Sequence, residues 1–260
     1  MDSGIRDYID AHESHGQTTC LLGDIFMKVM STESEDIRRD SVSVRPVLPG
    51  DLDAVSRLHI EILSDEFIVR FGLRFLKRYY RAFAESSHAV ALVAVDDNSG
   101  AIVGGLLGTL NPSLHYRYLI RYHGVYLAGT VVLRSLTRWA LARDFLRTRI
   151  KRYALGVMRS LFRHESQHSH TAPITTNKVA DLTHLFVSSP AHSKGIGSSL
   201  MRTYTSMVRR GGIQYIDLVT LPSDLGGAGS FYEKLGCTLV RKHVSQSGEV
   251  FLLYRLVLDR

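Results

Sequence analysis

The run His192-Ser193-Lys194-Gly195-Ile196-Gly197-Ser198 separates an apolar stretch ending at Val187 from a stripe at helical spacing: Ile196, Leu200, Tyr204, Met207 and Val208. A strand that passes through a glycine turn directly into a helix leaves the first helical amides without intrahelical partners. The helix dipole points its positive end at the same place. The chemistry open to such a turn is anion binding. Glycines at 195 and 197 let backbone approach a phosphate without an intervening Cβ, and Lys194 adds a charge-assisted contact. A plain strand-to-helix turn has the same spelling, so spacing alone leaves the phosphate reading open. The turn lacks the Gly-Lys-Ser/Thr ending of a P-loop. Leu200 also stands where the dinucleotide fingerprint carries its third glycine.

Proton chemistry has three candidates near this turn. Tyr232 lies in Ala228-Gly229-Ser230-Phe231-Tyr232-Glu233-Lys234-Leu235-Gly236-Cys237, a short helix that ends on a glycine suited to a left-handed cap. In isolation Tyr232 reads equally as a packing aromatic. Asp181 and His184 lie on the strand that enters the glycine turn, and period-2 alternation puts them on opposite faces. A histidine has an intrinsic pKa suited to base catalysis, and a hydrogen-bonded structural role fits it as well. Cys237 reads as a small core residue, not a nucleophile.

The elements around these residues follow from patterning. An alternating strand at Val42–Val47 precedes Pro49-Gly50, after which Asp51 caps a helix with apolar positions Leu52, Val55, Leu58 and Ile62. A second helix over about Arg70–Ala84 carries Phe71, Phe75, Tyr79 and Phe83 at steps of four. Ala89–Val95 and Ala101–Leu110 are strands joined by an Asp96-Asp97-Asn98-Ser99-Gly100 hairpin turn. A helical insertion over about 112–175 follows, closed by a His/Ser/Thr linker. Then come a strand (about Asp181–Val187), the glycine turn, a helix (about Ile196–Arg210), a strand (Gln214–Leu221), a helix (about Ala228–Leu235) and two strands (Thr238–His243, Val250–Leu258). The order is β-α-α-β-β, insertion, β-α-β-α-β-β, a mixed α/β class. Residues 1–40 lack sustained periodicity and read as a disordered tail, with 41–260 as one domain.

The two motifs together resemble the GNAT superfamily of acyl-CoA-dependent N-acetyltransferases. That family's first motif reads Gln/Arg-x-x-Gly-x-Gly/Ala after a strand, and residues 192–197 match it at both glycines. Its later motif, Phe-Tyr-Glu-Lys-Leu-Gly-Phe, is met by Phe231 to Gly236. The Arg45-Pro46 strand, followed by Asp51-Leu52 and a helix through Leu58-His59, is similar to the family's start. The resemblance implies a GNAT-like mixed central sheet flanked by helices, with a basic helical insertion between the third and fourth strands. It implies acetyl-CoA as co-substrate, bound where two neighbouring strands splay, and direct transfer of the acetyl group to a primary amine. His192 to Ser198 would form the phosphate loop, with the amides of Lys194, Gly195, Ile196, Gly197 and Ser198 on the pyrophosphate. Backbone of Phe186 and Val187 would pair with the pantetheine arm. Tyr232 would be the general acid for the leaving thiolate, and family members frequently carry an acidic residue near the position of Asp181. Three departures stand out: His192 replaces Arg or Gln, Leu225 replaces an Asn often found seven residues before the tyrosine, and Cys237 replaces the final Phe. The runner-up function is a catalytically weak acyl-CoA-binding module serving as sensor or scaffold.

The 260-residue chain is 45% hydrophobic and 22% charged with a formal charge of +7. The excess is local. Between Ser113 and His164 eleven Lys and Arg face one acid, Asp144, leaving +10 there, while the other 21 basic and 24 acidic residues leave −3. Arg117, Arg121, Arg134, Arg138, Arg143 and Arg147 interleave with Tyr116, Tyr118, Tyr122, Tyr126 and Trp139. Three readings suit this segment: a solvated basic face, a lid recruiting an anionic acceptor such as a nucleotide-linked amino sugar, and a peripheral contact with anionic lipid. No nucleic-acid motif accompanies the charge. His164, His168 and His170 read as a solvated linker and not a metal cluster, so no metal is expected. Two cysteines exclude a disulfide scaffold. The longest apolar run, Val125–Leu133, falls short of the roughly 20 residues a spanning helix needs, and the beginning Met-Asp-Ser-Gly-Ile-Arg is unlike a signal peptide. The expectation is a cytoplasmic monomer or homodimer.

Overall fold

A computed structural model describes residues 42–137, 179–244 and 248–258. Its strands are β1 (Val42–Pro46), β2 (Ala89–Asp96), β3 (Ile102–Thr109), β4 (Val179–Val187), β5 (Tyr215–Thr220), β6 (Thr238–Val244) and β7 (Val250–Val257). Its helices are α1 (Leu52–Ile62), α2 (Leu73–Glu85), α3 (Pro112–Thr137), α4 (Ile196–Arg210) and α5 (Gly229–Lys234). The strands form one seven-stranded sheet in the order β1-β2-β3-β4-β5-β7-β6. Neighbours are antiparallel except β4 and β5, which run parallel. This mixed sheet flanked by helices is the GNAT-like architecture the sequence implied, with α3 inserted between β3 and β4.

Alternation along the strands divides the core into two layers. On one face Leu92, Leu106, Ala180 and Ile216 meet the α4 stripe of Ile196, Leu200, Tyr204 and Val208. On the other, Val93, Leu107 and Phe186 meet Val55 of α1 and Leu76, Tyr80 and Phe83 of α2. Burial of each large apolar side chain stabilises the fold by about 1.5–3 kcal/mol. A satellite cluster of Phe67, Phe71, Phe75 and Leu127 attaches α3 to α2.

Two local differences from the sequence reading have clear causes. Asp51 does not cap α1 through its side chain. Its carboxylate accepts from the Leu48 amide at 2.8 Å and pairs with both terminal nitrogens of Arg45, tying β1 to the turn before the helix. The second helix starts at Leu73 and not near Arg70, because Gly72 sits at φ +84° and separates α2 from a 3-10 turn over Phe67–Phe71. That turn lowers residues 63–71 onto the sheet face beside α1. The N-terminal tail reading, Arg138, Trp139, Arg143, Arg147, His164, His168 and His170 lie outside the described residues. Among the described residues no helix is long and apolar enough to cross a membrane.

Candidate active site

Strands β4 and β5 pair only from Val179↔Tyr215 to Leu182↔Leu218, although β4 continues to Val187 and β5 to Thr220. The parting begins at an irregularity. Leu107 of β3 opposes His184 and Gly108 opposes Leu182, so Thr183 is an extra residue with no partner on β3. A bulge bends its strand and breaks the ladder, which accounts for the divergence of β4 from β5 at this residue. Beyond it β4 remains bound to β3, so its other edge is open.

The residues that present backbone to this open edge follow from the antiparallel pattern. The Ser188 amide donates to the Val103 carbonyl at 2.8 Å, so pairs face β3 at 188, 186 and 184, and backbone of 187 and 185 faces the cleft. Val187 therefore presents its backbone to the open edge, whereas Phe186 is committed to Gly105 of β3, and Leu185 stands at the edge in its place. The Phe186 ring lies on the α1/α2 face, where a Cβ on Gly105 would come within 2.6 Å of it. His192 Nε2 lies 2.8 Å from the Val187 carbonyl and donates to it, so this side chain ties the turn to the strand's end.

The turn itself has Ser193 at φ +62° and Gly195 at φ +76°, both left-handed conformations. The first intrahelical bond runs from the Ser199 amide to the Gly195 carbonyl at 3.0 Å. The amides of Ile196, Gly197 and Ser198 precede it and are free of helical partners. Residues 192–195 are exposed. A Cβ on Gly197 would stand 3.3 Å from the Phe231 ring and 3.8 Å from Val187, so α5, the turn and the end of β4 converge there.

Tyr232, one residue on, is 8% exposed and belongs to the α4-side core with Cys237 and Tyr254. Burial, with a smaller contribution from Cys237, pushes its phenol up to about 12. Cys237 is itself a buried free cysteine raised by burial to about 11, which suits the core role read for it. Asp181 lies opposite Asp217 of β5, one step before the strands part. Burial and the Asp217 charge raise its carboxyl to about 6. Asp217 is held by Arg255 through two bonds of 2.6 and 2.7 Å. The Tyr204 hydroxyl, 2.9 Å from the carbonyls of both Thr109 and Asp181, fixes the backbone around Asp181 from beneath.

Asp181 and His184 share a face, contrary to strict alternation. Ala180 and Leu182 point to α4, so Asp181 points to the α1/α2 side. The extra residue at 183 returns His184 and Phe186 to that same side. There His184 Nδ1 is 3.2 Å from Glu66 Oε2, and His59 Nε2 is 3.1 Å from the same oxygen. Tyr80 Oη is 2.8 Å from His59 Nδ1, and Tyr79 Oη is 3.4 Å from His184 Nε2. Burial alone would raise Glu66, but hydrogen bonds from the two histidines outweigh it and hold the carboxyl at about 2. Burial lowers His59.

The Acetyltransferase (GNAT) family model matches residues 154–237, the stretch that carries β4, the glycine turn, α4, β5 and α5. This stretch is similar to the GNAT acetyltransferase family. Among solved structures the chain is similar to an aminoglycoside 6'-acetyltransferase type Ii (15% identity, 84% of this chain and 99% of that one, TM-score 0.49). It is also similar to Ard1 from Thermoplasma volcanium (15%, 85% and 99%, 0.47) and to NAA60 of Arabidopsis thaliana in complex with acetyl-CoA (14%, 84% and 98%, 0.45). No curated protein matches the chain.

Within the matched segment the sequence-read residues divide into two places. Val187 and His192 to Ser198 line the open edge and the helix start, with Tyr232 following Phe231 on the adjacent helix. Asp181 and His184 lie on the opposite sheet face below the splay. Glu66 and His59 were not foreseen. They come from the Leu63–Phe71 turn and from α1, more than a hundred residues from His184, and no local spacing connects them. A buried histidine on the apolar stripe of α1 was the one available signal.

Proposed function

We propose that the protein is an acetyl-CoA-dependent N-acetyltransferase that moves an acetyl group directly to a primary amine of its acceptor, acting in the cytoplasm. The observation that carries this reading is the parting of β4 from β5 at Thr183, two residues after Asp181 and leading to a helix start with free amides. The residues suit acetyl-CoA: an extended edge at Leu185 and Val187 for an amide-bearing arm, and free N–H groups at Ile196, Gly197 and Ser198 for a pyrophosphate. The glycines keep that approach clear. Acetyl-CoA, when bound, supplies an activated acetyl thioester.

Amine attack forms the new N–C bond as the C–S bond breaks, so one proton leaves the ammonium and another reaches the thiolate sulfur. Asp181 is the base in this reading. With its carboxyl at about 6 it is ionised at neutral pH, yet far more basic than an ordinary aspartate. Tyr232 is the acid. Its phenol, at about 12, keeps its proton at any working pH and so stays a hydrogen-bond donor to the sulfur as negative charge develops there.

Calorimetry with acetyl-CoA, paired with an acceptor screen for acetyl-CoA consumption, tests the reading. Binding at micromolar concentration and turnover with an amine are expected. Tyr232→Phe should lower kcat by about 10²-fold or more while leaving the KM for acetyl-CoA near its original value. Binding without transfer to any amine in a broad panel would convert the protein into a coenzyme A sensor or scaffold.

A further inference from the structure

His59, Glu66 and His184 bring three ligand atoms from three separate elements, α1, the Leu63–Phe71 turn and β4, within 4.8 Å of one another. The contacts to Glu66 Oε2 are 3.1 and 3.2 Å, with 3.4 Å from His184 Nδ1 to Oε1, at or just beyond the long end of the roughly 2.7–3.2 Å range of N–H···O bonds. Ligands at tetrahedral corners around zinc, with bonds of roughly 2.0–2.1 Å, are about 3.3–3.4 Å apart. The second ring nitrogens are already occupied: His59 Nδ1 faces the Tyr80 hydroxyl and His184 Nε2 the Tyr79 hydroxyl. Those contacts fix ring orientation and leave His59 Nε2 and His184 Nδ1 turned inward, as outer-sphere partners do around metal-bound histidines. Phe186 and Tyr80 wall the inner side, with ring centroids 5.2 and 5.8 Å from that of His59.

We propose that His59, Glu66 and His184 form a binding site for a divalent transition cation of the zinc class. Two imidazoles and one carboxylate leave a further position for water or an acceptor group. That position lies on the Glu66 side, because the Glu66 side chain is 35% exposed while His59 and His184 are 0% and 10% exposed. The site sits on the sheet face that carries Asp181, away from the glycine turn.

The test is a titration of the chelator-stripped full chain with Co²⁺, read by visible d–d absorption, and with Zn²⁺, read by elemental analysis after dialysis. One ion per chain is expected, with a tetrahedral-type cobalt spectrum. His184→Gln and Glu66→Gln should abolish the cobalt band. Tyr80→Phe, which keeps the ring in the core, should weaken binding about 10–100-fold. Circular dichroism of each variant verifies the fold. No cobalt band in the wild type overturns the proposal, as does an equal band in correctly folded His184→Gln and Glu66→Gln, since the chain holds twelve histidines. Zinc should also raise the melting temperature of the wild type but not of His184→Gln. The readout is independent of acetyl transfer: metal uptake without acetyl-CoA binding would overturn the enzymatic reading and sustain this one.

Discussion

At the scale of single residues, Asp181 is the most exposed to test. Its carboxyl is raised by burial and by Asp217 to about 6, and it accepts a proton only when ionised. The rate kcat/KM should therefore rise with pH through about 6, and Asp181→Asn should lower it about 10²-fold or more and remove that limb. A profile that keeps the limb in the variant would assign it to another group. The tyrosine and both glycines are legible in the sequence because each belongs to a short local motif, and Asp181 because it stands on the strand that enters the glycine turn. Strict alternation misplaced the relation between Asp181 and His184. Nothing in Asp181-Leu182-Thr183-His184-Leu185 advertises a bulge, and one extra residue reverses every side chain beyond it. Glu66 was illegible for a different reason, since its partner His184 lies 118 residues away and only the fold brings both to His59.

At the scale of elements, the site depends on one unpaired residue in β4. The bulge is held from below by Tyr204, whose helix position follows from the α4 stripe but whose hydroxyl has a job no stripe reveals. It donates towards the carbonyls of Thr109 and Asp181 on either side of the β3–β4 ladder. Its ring also fills the space that a Cβ on Gly108 would enter, 2.5 Å away. Tyr204→Phe retains the ring and deletes the donor, leaving buried carbonyls short of a partner. The expected cost is about 1–3 kcal/mol by denaturant unfolding, together with a fall in kcat larger than any change in acetyl-CoA affinity. A variant with wild-type turnover and wild-type stability would show that the bulge holds without the hydroxyl. Helix and strand boundaries came out of the sequence within a few residues because glycine turns and apolar periods mark them. The parting of β4 and β5 did not, because it is a property of pairing.

At the scale of the whole molecule, the insertion sets the charge and α3 also brings acid sensitivity. Its described part exposes Arg117 and Arg121 but buries His115 and His123 against α2. Both ring nitrogens of His115 lack a hydrogen-bond partner, and the ring lies 4.1 Å from that of Phe83. Burial, helped by the nearby His88 and His123, lowers His115 to about 4. Burial also lowers His123 and His59. A histidine whose folded pKa lies below its unfolded value of 6.5 binds fewer protons in the native state between those two values. Stability is then complete above about pH 6.5 and falls as pH drops towards the folded pKa, by about 1.4 kcal/mol per pH unit for one full proton. Asp181 works in the opposite sense, because a raised carboxyl takes up its proton first in the native state as pH falls through about 6. Burial lowers His88 as well, so among the described residues four histidines against one aspartate predict a net loss of stability between pH 7 and pH 5. His115→Leu removes two unsatisfied buried nitrogens and one of the four sensitive histidines, so its unfolding free energy should fall less steeply over that range, by close to one proton's slope. Denaturant unfolding at pH 7, 6 and 5 measures this, and an unchanged slope would return the acid sensitivity to the sheet face that carries His59.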